Sequence, residues 1–166
     1  MQKLPRKIEL LAPAKDYETG IAAINHGADA VYVGAARFGA RKAAGNSVED
    51  IARLVEYAHI FGVKVYVTLN TIIYEDEIAD VEQLVNELYN IGVDALIVQD
   101  LGILQMNIPP IPLHASTQMD NRTAGKVKFL SSAGFPRVVL ARELSLDEIK
   151  DIHTQAPETE LEVFVH

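Results

Sequence analysis

Short apolar runs alternate with amphipathic segments along almost the whole chain. The apolar runs are rich in Val, Ile and Leu, and Gly, Pro, Asn or Asp residues separate them, a pattern typical of buried strands. Seven of them predict strands, at residues 8–12, 30–33, 63–69, 95–98, 111–115, 137–141 and 161–165. The pattern therefore predicts a repeated strand–helix unit.

The segments between the strands carry apolar residues at helical spacing. After Ser47 they recur at i, i+3, i+4 and i+7, which places them on one face of a helix. Ser145 with Glu148 forms a capping box, a reciprocal pair of hydrogen bonds that starts a helix. Another helix is predicted to begin near Asp120 or Asn121.

Three of the strand–helix units share a weak internal likeness. Each places a glycine at the end of a helix and then a run of β-branched residues, beginning at Gly27, Gly92 and Gly134. Glycine suits the end of a helix because it adopts the left-handed conformation at little cost.

These elements predict an α/β fold. Strands that are apolar on both faces and alternate with helices indicate a parallel sheet covered by helices. Such a sheet is either doubly wound and open or a TIM-like (β/α) barrel, and "LAPAKD" stands where a dinucleotide-binding protein has its glycine-rich turn. We therefore favour the barrel.

The predicted barrel is incomplete, because it needs eight strands and the chain ends directly after the seventh. We expect residues 1–166 to be a single domain, the amino-terminal barrel portion of a longer protein. Alternatively, a partner chain in an oligomer closes the open edge of the barrel.

Composition narrows the function classes. The 166 residues are 49% hydrophobic, with 15 basic and 23 acidic residues and a net charge of −8, which disfavours RNA as a partner without excluding a local basic patch. No cysteine is present for a disulfide, a thiolate nucleophile or a cysteine-ligated metal. No apolar stretch reaches the roughly 18 residues of a membrane span, so we expect a cytoplasmic protein without a membrane partner.

Polar residues follow the strands at the end where barrel enzymes carry their active sites. The candidates for acid–base chemistry are Asp100, His114 and Glu143, with Asp100 and Glu143 effective only if they are buried close together. The candidates for substrate binding at the strand ends are Asn70, Gln118, Arg142 and His166. Ordinary polar loops explain the same residues equally well. Glu143 could instead pair with Arg142 or interact with the helix that starts at Ser145.

The run "HASTQ" at 114–118 suggests a serine nucleophile with a histidine base. Residues i and i+2 of a strand share a face but lie about 6.6 Å apart along it. A nucleophile and its base need about 2.6 to 3.2 Å. A direct pair between Ser116 and His114 is therefore disfavoured, and His114 is expected to point into the barrel or to be a core histidine.

The loop "GAARFGARKAAGN" at 34–46 combines glycines with Arg37 and Arg41. Glycines allow backbone amides to approach a ligand, and arginines form paired hydrogen bonds to carboxylate or phosphate. The loop could therefore bind a small anionic molecule or an RNA backbone, or be only a solvated connection.

Eight motifs occur in one order and cover nearly the whole chain. They are "ELLAPA" at 9–14, "GADAVYVG" at 27–34, "FGARKAAGN" at 38–46, "KVYVTLN" at 64–70, "GVDALIVQD" at 92–100, "HASTQ" at 114–118, "VVLARELSLDEI" at 138–149 and "LEVFVH" at 161–166. The chain thereby resembles the amino-terminal part of the collagenase-like peptidase family, U32, whose catalytic type is unknown.

The resemblance implies one of two activities for the full-length protein. Members are widely labelled proteases, which makes a peptidase with a peptide substrate the expected name. Other members resemble oxygen-independent hydroxylation factors for RNA or a ubiquinone precursor, in which later cysteines hold an iron–sulfur cluster. We expect no cofactor in this chain itself and no activity of this fragment alone.

The residues themselves give a modest preference for one of these two activities. No nucleophile, metal site or carboxylate dyad of a peptidase can be assembled from recognisable spacing, so the chemistry favours hydroxylation. A reading of another class is a non-catalytic barrel module that binds RNA or a protein partner.

Overall fold

The computed structural model describes residues 8–39 and 45–165, and within them seven strands form one parallel sheet in chain order. The strands are β1 (Leu11–Ala14), β2 (Ala30–Gly34), β3 (Lys64–Leu69), β4 (Ala95–Val98), β5 (Leu113–Ala115), β6 (Arg137–Val139) and β7 (Glu160–Glu162). The helices between them are α1 (Tyr17–Asn25), α2 (Val48–Ile60), α3 (Ile78–Asn90), α4 (Ala124–Ala133) and α5 (Leu146–Gln155). Short 3₁₀ turns in these ranges lie at Glu75–Glu77, Leu101–Gln105 and Thr117–Met119.

The sheet is a half-barrel with β1 and β7 at its two edges. Each strand pairs in parallel with the next, and in the described part of the chain no strand pairing joins β7 back to β1. This architecture confirms the predicted incomplete (β/α) barrel. Closure of the open edge by a partner stays a prediction.

Alternation along the strands separates two layers of side chains. In β3, Val65 and Val67 face the helices and belong to the main hydrophobic core, whereas Tyr66 faces the barrel interior. The outer layer is the larger. Its fully buried members include Ile51, Leu54, Leu88, Leu130 and Phe135. The helices thus cover the outer face, and the inner face is available for polar groups.

Several helix boundaries follow directly from capping chemistry. Ser47 and Ser145 are the N-caps of α2 and α5, and Ser145 and Glu148 form the predicted capping box. The three glycines predicted to end helices all have positive φ, 95° at Gly27, 88° at Gly92 and 116° at Gly134. These local predictions are confirmed.

Several boundaries differ from the sequence pattern, and β5, β6 and β7 are shorter than their predicted ranges. Helix α4 begins at Ala124 with Thr123 as its N-cap, because Asp120 has a left-handed conformation with φ of 56° and cannot belong to a helix. Strand β1 is displaced towards Ala14, since the Leu10 amide hydrogen bonds to the Asp29 side chain instead of a neighbouring strand.

None of the helices in the described ranges 8–39 and 45–165 is long and apolar enough to cross a membrane.

Candidate functional site

Two buried asparagines organise the carboxyl ends of the strands, which form the mouth of the half-barrel. The Asn46 side-chain amide donates hydrogen bonds to the carbonyls of Lys15 and Gly34, each at 3.0 Å. It therefore joins the segments that follow β1 and β2. These bonds hold Lys15 and Gly34, at the mouth, against the end of the loop that contains Arg37.

Asn121 plays the same part on the other side of the mouth. Its side chain is fully buried and donates to the carbonyls of Ser116 at 2.9 Å and Val139 at 2.8 Å. Its Oδ1 has no hydrogen-bond partner among the described residues. The sequence pattern predicts only a helix start at this residue, because a lone asparagine in a loop carries no signal that separates a helix cap from a buried bridge.

Asp100, a candidate acid or base, has both carboxylate oxygens occupied by backbone. One oxygen accepts from the Ile73 amide at 3.0 Å and the other from the Gly102 amide at 2.8 Å. The carboxylate thereby caps the 3₁₀ turn after β4 and ties it to the loop after β3. These contacts give Asp100 a structural task at the mouth.

His114 lies on the inner face of the barrel, as expected, and is only 5% exposed. Its ring packs edge-on against Tyr66 with centroids 4.9 Å apart, and its Nδ1 has no hydrogen-bond partner in the described part of the chain. Burial, followed by the nearby positive charge of Arg137, lowers the pKa of His114 to about 3. The ring is therefore neutral at physiological pH.

Ser116 does not use His114 as a base in this arrangement. Its Oγ accepts a hydrogen bond from the Gln118 amide at 3.2 Å and so caps the 3₁₀ turn at Thr117–Met119. The Gln118 side chain is exposed at the rim of the mouth. Its role in binding stays a prediction.

Glu143 and Arg142 lie at the surface after β6. The Glu143 side chain is 63% exposed and pairs with Arg122 at 3.6 Å. The Arg142 guanidinium stacks over the Phe164 ring at 4.3 Å. The condition for acid–base chemistry by Asp100 and Glu143, that both be buried close together, is therefore not met, because Glu143 remains in water.

The arginine loop is only partly described. Arg37 forms an ion pair with Asp80 of α3 at 2.5 Å and borders a cleft of about 200 Å³ on the helix side of the sheet. Asn70 follows β3 and is half-buried at the mouth. Arg41 and His166 lie outside the described residues. Of the described candidates for substrate binding, Arg37 is paired with Asp80 of α3, whereas Asn70, Gln118 and Arg142 lie at the mouth.

A charged cluster that the sequence pattern did not predict lies at the opposite end, inside the base of the barrel. Arg137, the first residue of β6, contacts three carboxylates, Glu9 at 2.5 Å, Glu160 at 2.9 Å and Glu162 at 3.9 Å. Its guanidinium also lies over the Tyr66 ring, 5.5 Å from the centroid. Charged residues at the starts of predicted strands are the signal that could have revealed it.

The pKa values of Glu9 and Glu162 are shifted in opposite directions by this environment. Burial alone would raise the pKa of Glu9, but hydrogen bonds from Arg137, Tyr66 and Lys64 bring that pKa below its ordinary value. Burial raises the pKa of Glu162 to about 7, because the attraction of Arg137 only partly offsets it. The Oε2 atom of Glu162 has no hydrogen-bond partner among the described residues.

No metal or cluster site can be assembled from the described residues. They contain no group of three or more His, Cys, Asp or Glu side chains that could hold a metal ion. An iron–sulfur cluster is held by cysteine thiolates, and the sequence has no cysteine. The residues of this chain therefore do not fit such a cluster.

Comparison with known proteins places the chain in a family. The model of peptidase family U32 matches residues 15–166. The 23S rRNA 5-hydroxycytidine C2501 synthase of Escherichia coli (strain K12) is 57% identical over 160 residues, which are 96% of this chain and 24% of that protein. A collagenase of Porphyromonas gingivalis is 34% identical over 148 residues, 87% of this chain and 36% of that protein.

The fold agrees with a solved member of the same family. The structure of the U32 peptidase Mk0906 superposes with a TM-score of 0.75 at 14% identity, covering 98% of this chain and 70% of that one. The chain spans about a quarter to a third of the length of the two curated relatives above. The match of the family model over nearly the whole chain leads to one conclusion: the chain belongs to peptidase family U32.

Proposed function

We propose that this chain is the amino-terminal barrel segment of an RNA-hydroxylating enzyme, which converts a cytidine of large-subunit ribosomal RNA to 5-hydroxycytidine. The observation that carries the proposal is the 57% identity to the Escherichia coli 23S rRNA 5-hydroxycytidine C2501 synthase across 96% of the chain. The collagenase relative is 34% identical. The peptidase activity, which was the main expectation from the family resemblance, therefore becomes the second candidate after hydroxylation.

The geometry supports this order. Hydrolysis of a peptide bond needs an activated nucleophile or water. Here Ser116 caps a turn, Asp100 accepts two backbone amides, and Glu143 is paired in solvent. None of the three is held against a base. Hydroxylation with an iron–sulfur cluster supplied from elsewhere requires of this segment only that it bind and orient the substrate.

In this proposal the mouth contacts RNA through local positive groups. Arg142, exposed and stacked on Phe164, is the described mouth residue best suited to phosphate, because its guanidinium keeps an accessible edge. Gln118 and Asn70 would add hydrogen bonds to the RNA or to a small anionic co-substrate. The net charge of −8 implies few phosphate contacts and a shallow dependence on salt. A cytoplasmic location is part of the same proposal.

A chimera tests the function without knowledge of the remaining protein. This chain replaces the matching segment of the Escherichia coli synthase, and the chimera is expressed in a strain that lacks the synthase. Mass spectrometry of nucleosides from 23S rRNA is expected to show 5-hydroxycytidine again. A chimera with the matching segment of the Porphyromonas gingivalis collagenase is the control. A chimera that folds but leaves the 23S rRNA without 5-hydroxycytidine would contradict the proposal.

The peptidase remains the second candidate because the family model and the collagenase relative carry that name. Sustained hydrolysis of casein or gelatin by the purified chimera, together with unmodified rRNA, would reverse the order. Binding of RNA without either reaction would favour the non-catalytic binding module.

A further inference from the structure

Exposed apolar side chains lie at the mouth of the half-barrel, in the loops that follow β3 and β4. In the loop after β3, Tyr74 is 66% exposed and Ile72 is 58% exposed. Leu101, in the loop after β4, is 42% exposed and directly follows Asp100, which accepts a hydrogen bond from the Ile73 amide. Large apolar side chains gathered in this way mark an interaction surface.

The loop after β3 is held in place by several hydrogen bonds. The Thr71 hydroxyl donates to a carbonyl of the loop after β2 at 3.1 Å, and the Ile73 amide donates to Asp100 at 3.0 Å. The Tyr74 amide donates to the Glu77 carboxylate, also at 3.0 Å. Because the backbone is already ordered, a ligand that binds to the Tyr74 side chain costs little additional conformational entropy.

We propose that Tyr74 stacks on an unpaired base of the RNA substrate, an inference that rests on the proposed function. Aromatic side chains bind single-stranded RNA in this way, since every base presents a flat π face. Tyr74 lies at the same end of the barrel as Arg142, which the proposed function assigns to phosphate. The two side chains thus bind different parts of the RNA, one a base and the other the backbone.

The charges beside Tyr74 favour a base over a phosphate. Glu75 and Asp76 follow it in the chain, and both are exposed. Carboxylates repel phosphate, but they accept hydrogen bonds from the exocyclic amino group of cytosine. This part of the mouth is therefore complementary to an amino-bearing base, and cytidine is the nucleoside of the proposed reaction.

A basic protein segment shares this charge complementarity, and the ring of Tyr74 separates it from RNA. An apolar contact with a protein accepts leucine in place of tyrosine, whereas stacking on a base needs an aromatic ring. A leucine variant therefore distinguishes the two occupants.

Substitutions at Tyr74 in the Escherichia coli chimera test the stacking. Purified chimera is titrated into a short fluorescein-labelled oligocytidylate, and fluorescence anisotropy gives the dissociation constant at several salt concentrations. We expect Tyr74→Leu to raise that constant about 5- to 100-fold without changing its salt dependence, because stacking neutralises no phosphate. Tyr74→Phe and Tyr74→Trp keep the ring and should bind like the parent chimera. The content of 5-hydroxycytidine in 23S rRNA should fall only in the leucine variant.

Phe129→Leu is the matched control, because Phe129 is an aromatic residue of α4 that is 56% exposed. Its dissociation constant should equal that of the parent chimera. If Tyr74→Leu does not fold, Tyr74→Ala decides. Parent-like binding by the folded non-aromatic variant overturns the stacking, and if 5-hydroxycytidine is lost all the same, Tyr74 contacts a protein instead. A parent chimera that leaves the 23S rRNA unmodified refutes the proposed function, and the binding measurement then decides on the stacking alone.

Discussion

Glu162 offers a quantitative test of the barrel interior, because its carboxyl is buried without a hydrogen-bond partner for Oε2 among the described residues. Its side chain is 19% exposed, and Arg137 lies 3.9 Å away, beyond hydrogen-bond distance. Burial raises its pKa from 4.5 to about 7. The substitution Glu162→Gln replaces the carboxyl by a neutral group of nearly the same shape.

The direction in which stability changes with pH follows from the number of protons bound in the folded and the unfolded state. Between pH 4.5 and 7 the folded carboxyl keeps its proton and the unfolded one has lost it, so the wild type loses stability as the pH rises. A difference of about 2.5 pKa units corresponds to about 3 kcal/mol. The glutamine variant lacks this loss and should gain about 3 kcal/mol relative to the wild type from pH 4.5 to pH 8.

Urea unfolding of both proteins at intervals from pH 4.5 to pH 8 measures this difference. His114 has a lowered pKa and makes stability rise with pH up to about 6.5, but that contribution is common to both proteins and cancels. Glu160→Gln is the control, because it removes an exposed carboxylate that contacts the same guanidinium. Parallel pH profiles for wild type and Glu162→Gln would refute the assignment of a buried, protonated Glu162.

Three further substitutions test single elements by urea unfolding at pH 7. Asn121→Ala should cost about 3 kcal/mol, because the carbonyls of Ser116 and Val139 lose their buried donor; a loss no larger than that of an exposed Asn→Ala change would contradict this bridging role of Asn121. Gly134→Ala should cost about 1–2 kcal/mol from its φ of 116° alone, since an added Cβ would meet no atom within 4 Å. Ser145→Ala should cost about 1 kcal/mol by removing the cap of α5, and an unchanged midpoint would show that the cap is redundant.

The periodic part of the fold was predictable because it depends on local patterns. Strand β4 occupies residues 95–98 as predicted, and Ser47 and Ser145 begin their helices. The start of α4 was not predictable in the same way. Asp120 and Thr123 are both good N-cap residues, and the backbone conformation of Asp120 decided between them.

For the candidate site residues, the sequence predicted only their position after the strands. Sequence placed polar residues after the strands, and the structure puts Asp100, Glu143 and Arg142 there. The sequence did not reveal that Asp100 accepts hydrogen bonds from two backbone amides or that Glu143 pairs with Arg122 in solvent. Such partners come from other loops, and their distance along the chain is unrelated to their distance in space.

By itself, the sequence determined the succession of strands and helices, the parallel sheet and the membership of a family, because these depend on periodicity and on ordered motifs. Only the tertiary structure decided what fills the barrel. Curvature of the sheet brings Glu9 to Arg137 across 128 positions, and it buries His114 and most of the Glu162 side chain. The charge state of those groups depends on burial and on neighbours, and neither is encoded in a local pattern of residues.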